Sequence, residues 1–124
     1  MATILVVDDE PSMRLAVSEH LRRGGHEVAS AANGQEALKL MAETSYDLLI
    51  TDILMPEKEG IETIRDVRRL HPETKIIAIS GGGRYDAGDY YLSIASQFGT
   101  DATLAKPFSG RELMETVARV LNAP

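Results

Sequence analysis

The chain has 124 residues, about the size of one domain, and its 44% hydrophobic and 26% charged residues suit a packed core rather than a disordered segment. Its 19 acidic against 13 basic residues give a net charge of −6, which argues against a general binder of nucleic acid or of an anionic membrane. Cysteine is absent and His20, His26 and His71 stand far apart, so disulfides, thiolate chemistry and zinc-type ligand spacing are excluded and a reducing, cytoplasmic setting is expected.

Ile4 to Val7 is a short apolar run rich in β-branched residues, the pattern of a strand covered on both faces. It ends at Asp8, Asp9 and Glu10, with no basic leader ahead of it. Pro11 opens a helix striped by Met13, Val17 and Leu21 and stopped by Gly24 and Gly25. Glu27 to Ala31 reads as a second strand. Asn33 with Glu36 forms a capping box for a helix to about Glu43, with Ala37, Leu40 and Met41 inward. Tyr46 to Thr51 is a third buried strand running into Asp52 and the turn-like MPEKEG segment. A helix striped by Ile61, Ile64 and Val67 follows, and Pro72 breaks it.

Lys75 to Ile79 is a fourth strand, ending at Ser80 and three glycines. A helix is expected over about 86–98, with Ala87, Tyr91, Ile94, Ala95 and Phe98 on one stripe. Ala102 to Ala105 is a fifth strand leading to Lys106 and Pro107. Ser109 and Glu112 then cap a last helix that runs to Leu121. Five strands alternating with five helices predict an α/β protein with a mostly parallel sheet covered on both faces. No stretch is long and apolar enough to span a bilayer.

The polar residues fall where such a sheet binds ligands. Asp8 and Asp9 follow strand one, Asp52 strand three, Ser80 strand four and Lys106 strand five, so all share the carboxyl edge. Carboxylates gathered there repel one another unless a hard divalent cation such as magnesium, or a lysine, neutralises them. Cation, ammonium and hydroxyl together suit phosphoryl oxygens. With no thiol available, the candidate nucleophile is a carboxylate, Asp52. The glycine triplet lacks the lysine and hydroxyl spacing of a nucleotide loop.

VVDDE at Asp8 and Asp9, TDILMPEKEG with Asp52, Pro56 and Gly60, then Ser80 and the KPF of Lys106 to Phe108, resemble response-regulator receiver domains, especially the stand-alone chemotaxis type. The resemblance covers essentially the whole chain. It implies a doubly wound, flavodoxin-like (βα)5 fold with strand order 2-1-3-4-5, one receiver domain over 1–124 without an output domain, and a cis Lys106–Pro107 bond. It implies that Asp52 takes a phosphoryl group from a phosphohistidine on a sensor histidine kinase or histidine phosphotransfer protein. Asp8, Asp9, Asp52 and the backbone carbonyl of Leu54 would hold Mg2+, or Mn2+ in its place. Lys106 and Ser80 would bind the phosphoryl group, and Pro56 and Gly60 would shape the loop. The switch would run through Ser80 and position 103 to the surface of the helix over 86–98, the fifth strand and the last helix. Signalling would then pass by contact to a separate effector protein, with no nucleic acid or membrane bound, and a weak homodimer follows family habit. Phosphotransfer and slow acyl-phosphate hydrolysis would be self-catalysed, in a signalling protein rather than a conventional enzyme.

Three features depart from the family pattern. Thr103 replaces the usual switch aromatic, for which Tyr85, Tyr90 or Tyr91 is the candidate substitute. The stretch between Ser80 and Lys106 is longer than in the simplest members and carries GGGRYDAGDYY. Leu54, two residues after Asp52, is apolar and suggests slow hydrolysis. Two other readings compete: a receiver-shaped interaction module with little phosphorylation, and a haloacid-dehalogenase-like phosphatase, which would want an aspartate where Leu54 stands.

Overall fold

The computed structural model describes residues 1–53, 59–80 and 99–123. Five strands, β1 (Thr3–Val7), β2 (Glu27–Ala31), β3 (Leu48–Asp52), β4 (Lys75–Ser80) and β5 (Ala102–Ala105), form one sheet in the order β2-β1-β3-β4-β5. Every neighbouring pair is parallel. The helices among the described residues are α1 (Pro11–Arg23), α2 (Gly34–Glu43), α3 (Glu59–Leu70) and α4 (Gly110–Asn122). This is the flavodoxin-like order expected from the sequence. The helix expected over 86–98, with Tyr85, Tyr90 and Tyr91, lies outside the described residues.

Alternation along the strands divides the core in two. Leu5, Val7, Leu49, Ile76 and Ala78 pack with Ala37 and Met41 of α2 and Ile64 and Val67 of α3. Ile4, Val6, Leu48, Ile50, Ile77 and Ile79 face the other way, against Val17 and Leu21 of α1 and Leu113, Val117 and Val120 of α4. With side chains buried on both faces, these strands need the continuous apolar runs seen in the sequence.

The bounds of β3 and β4 differ from the sequence reading. Tyr46 stands before β3, where its carbonyl accepts the Thr74 hydroxyl at 3.0 Å, and Asp52 and Ser80 are the last residues of β3 and β4 rather than loop residues. The parallel register carries pairing through Asp52 and Ile79, and the Ile53 amide then donates to the Ile79 carbonyl at 2.9 Å. The helix starts follow the capping chemistry closely. Ser109 and Glu112 exchange both bonds of a capping box. At α2 the Asn33 side chain accepts from the Glu36 amide at 2.9 Å, but Glu36 returns to the Ala32 amide, at 3.3 Å, instead of that of Asn33.

The amino edge of the sheet is tied by Arg68 of α3. Its guanidinium donates to Gly99 O, to Asp101 Oδ2 at 3.0 Å, to Pro72 O at 3.2 Å and to Thr74 O at 3.3 Å. Asp101 Oδ2 also accepts the Ile76 amide at 2.8 Å, so one side chain joins α3 to the starts of β4 and β5. Arg68→Met is expected to lower unfolding stability by about 2 kcal/mol in urea titrations, because several carbonyls lose a charged donor at once. An unchanged midpoint would show that water replaces all of these bonds.

Candidate functional site

The site lies at the carboxyl edge, where β1, β3, β4 and β5 end side by side. Asp8 is the first residue past β1, and its amide still makes a ladder bond to Ala31 O at 3.2 Å. Its carboxylate accepts the Glu10 amide at 2.8 Å. Asp52, the last residue of β3, is 5% exposed, and Asp8 is 3% exposed; only Asp9 stands in solvent. Carboxylate oxygens of Asp8, Asp9 and Asp52 lie within 4.8 Å of one another.

Lys106 enters this cluster from just beyond β5. Its amide donates to Ser80 O at 2.8 Å, which fixes the start of its stem to the end of β4. Its Nζ lies 3.0 Å from Asp52 Oδ2 and 3.6 Å from Asp8 Oδ2. The Lys106–Pro107 peptide bond is cis, as expected. Ser80 is fully buried at the end of β4, one residue past the pair Asp52 and Ile79. Thr103 sits half-buried on β5 opposite Ala78.

Burial pushes the Asp8 carboxyl up to about 6; the Glu10 amide and Lys106 hold it down, while the charges of Asp52 and Asp9 drive it further up. For Lys106 burial pulls downward. The hydrogen bond to Asp52 and the charges of Asp52, Asp8 and Glu10 outweigh it, so the ammonium is held above its ordinary value. One lysine is thus set against three carboxylates, two of them buried. Such an oxygen-only set, short of positive charge, can hold a divalent cation.

Of the residues singled out in the sequence, Asp8, Asp9, Asp52 and Lys106 come together, with Ser80 at the neighbouring strand end. Leu54 and Pro56 lie outside the described residues. Gly60 permits a close approach of backbones, since a methyl group added to it would lie 2.5 Å from both Asp52 O and Ile53 Cα, so α3 starts directly on the backbone that carries Asp52. Arg14 was missed by sequence reasoning. Its Nη1 donates to Asp8 O at 2.7 Å. The available signal was an arginine one turn into the helix that follows an acid-ended strand, where helical side chains point back toward the N-terminus.

Residues 4–118 match the response regulator receiver domain. Similarity extends to the chemotaxis protein CheY of Bacillus subtilis (strain 168), 33% identical over 120 residues and covering 96% of this chain and 97% of that protein. The solved structure of CheY4 from Vibrio cholerae superposes with a TM-score of 0.85 at 33% identity, covering 97% of this chain and 98% of the other. The sensor kinase CckA of Brucella abortus (strain 2308) is 38% identical over 122 residues, yet the chain spans only 12% of its length. Against several transcriptional regulators it spans between 24% and 52%. No helix among the described residues is long and apolar enough to cross a membrane. Because the match runs through the whole sheet and includes small proteins matched nearly end to end, the chain belongs to the response-regulator receiver-domain family.

Proposed function

We propose that Asp52 accepts a phosphoryl group from a phosphohistidine of a sensor kinase or histidine phosphotransfer protein, and that the phosphorylated domain, one unit over 1–124, signals to a separate effector by contact. The observation that carries this reading is the Asp52 carboxylate, 5% exposed at a strand end yet joined to Lys106 and within 4.8 Å of two further carboxylates. A carboxylate so buried and so crowded is costly as mere structure and apt as a nucleophile.

An Asp52 oxygen would form the new P–O bond as the P–N bond to the donor imidazole breaks, and the imidazole leaves with the electron pair of that bond. Lys106 then stands 3.0 Å from the attacking group, where its ammonium offsets the charge of the arriving phosphoryl oxygens. Asp8, Asp9 and Asp52, with the carbonyl of Leu54, would hold Mg2+, or Mn2+ in its place, which when bound adds further positive charge there. Ser80 supplies a hydroxyl at the adjacent strand end to draw toward a phosphoryl oxygen, and Thr103, on β5 opposite Ala78, would replace an aromatic lever with a smaller side chain.

Incubation with acetyl phosphate or phosphoramidate and Mg2+, followed by intact mass measurement, is expected to show an adduct of about 80 Da, one phosphoryl group. The Asp52→Ala variant should show none. A wild-type chain that binds metal but stays unmodified would sink the reading in favour of a passive interaction module.

A further inference from the structure

We infer that Arg14 is a positioning residue for the cation site: it grips the peptide unit that joins Asp8 to Asp9 and so sets how the two acids face a divalent ion. This rests on the phosphoacceptor reading only in taking that acid cluster as the cation site.

The argument starts from where β1 stops. Pairing ends with the Asp8 amide on Ala31 O, so the Asp8 carbonyl lies past the last rung of the ladder. A carbonyl in that place needs a donor from elsewhere. Arg14 reaches back from the first turn of α1, half-buried, and supplies one at 2.7 Å, a short charge-assisted bond. The Asp8 carboxylate is separately held by the Glu10 amide at 2.8 Å. Main chain and side chain of Asp8 are therefore both pinned, and the carbonyl that Arg14 holds belongs to the peptide leading into Asp9. Because Asp9 is exposed, packing contributes little to its direction, which follows the orientation of that peptide. The backbone of Arg14 closes the unit: its amide donates to Glu10 O at 3.1 Å, so the acid run and the helix start are one hydrogen-bonded piece.

The sign of the effect separates positioning from simple charge. Removing a cation beside a cation site tightens metal binding if electrostatics alone matters. Loosening the ligands weakens it, and outer-shell substitutions of this kind cost about tenfold in metal affinity. Isothermal titration of the metal-free protein with Mn2+ is therefore expected to give a dissociation constant about tenfold higher in Arg14→Met than in wild type. The Mn2+ concentration for half-maximal phosphorylation by acetyl phosphate should rise by the same factor. A constant equal to or below that of wild type overturns the inference. Should Arg14→Met fail to fold by circular dichroism, Arg14→Lys decides, since it keeps the charge but loses the planar fork: weaker Mn2+ binding supports positioning and unchanged binding overturns it. If wild type binds Mn2+ but is never phosphorylated, the phosphoacceptor reading fails while the Mn2+ comparison still judges Arg14.

Discussion

Asp8→Asn is expected to make the metal-free protein more stable at neutral pH while removing most of its response to divalent cations. Burial first, and the charges of Asp52 and Asp9 after it, raise the Asp8 carboxyl to about 6 from 3.8. The folded chain thus holds this proton more tightly than the unfolded one. The contribution of Asp8 is most favourable at low pH, declines as pH rises from 3.8 toward 6, and costs the fold about 3 kcal/mol above that range. Asparagine occupies nearly the same volume and keeps an oxygen to accept the Glu10 amide. Urea unfolding in a chelator at about pH 7.5 should show a midpoint up by about 1 M in the variant, and the gap should close toward about pH 5. Mg2+ should stabilise wild type and do little for Asp8→Asn, because binding to the folded state alone adds stability. A variant less stable than wild type at neutral pH without metal would show that its hydrogen bonds outweigh the repulsion.

The second large effect is expected at Gly60. Helix propensity by itself predicts that alanine there stabilises the chain by about 1 kcal/mol. The structure predicts the reverse. The added methyl meets Asp52 O and Ile53 Cα at 2.5 Å and Ile53 C at 2.9 Å, all main-chain atoms locked in the ladder by the Ile53 amide bond to Ile79 O. No side chain can swing aside, so either α3 lifts from the sheet or Asp52 shifts. Gly60→Ala should therefore lower stability by about 2 to 3 kcal/mol. The acetyl phosphate reaction should slow about a hundredfold, since displacement of a reacting group by an ångström is enough to do so. Stability at or above wild type would mean that α3 settles without strain.

The haloacid-dehalogenase reading finds no support beside a receiver-domain match that spans residues 4–118. Thr103 stands half-buried on β5 opposite Ala78, and Tyr85, Tyr90 and Tyr91, the candidate aromatic substitutes, lie outside the described residues.

Much of this protein is legible in its amino-acid sequence. Short apolar runs, the caps at Asn33 and Ser109, and the stops at Gly24 and Pro72 are local signals, and local chemistry dictates where helices and strands begin and end. The same signals put Asp8, Asp52, Ser80 and Lys106 at strand ends, and a parallel sheet has only one carboxyl edge on which to collect them. Three things depend on the tertiary structure. Only the register of β3 on β4 makes Asp52 a strand residue, since its pairing depends on Ile79 in another strand rather than on its own neighbours. The level of the Asp8 carboxyl comes from burial and from charges carried by other segments. Arg14 looks ordinary along the chain, and Gly60 reads there only as a loop-shaping glycine; one becomes the donor to a strand-end carbonyl and the other the contact point of α3, because those roles exist only once backbone from distant segments stands within a few ångströms.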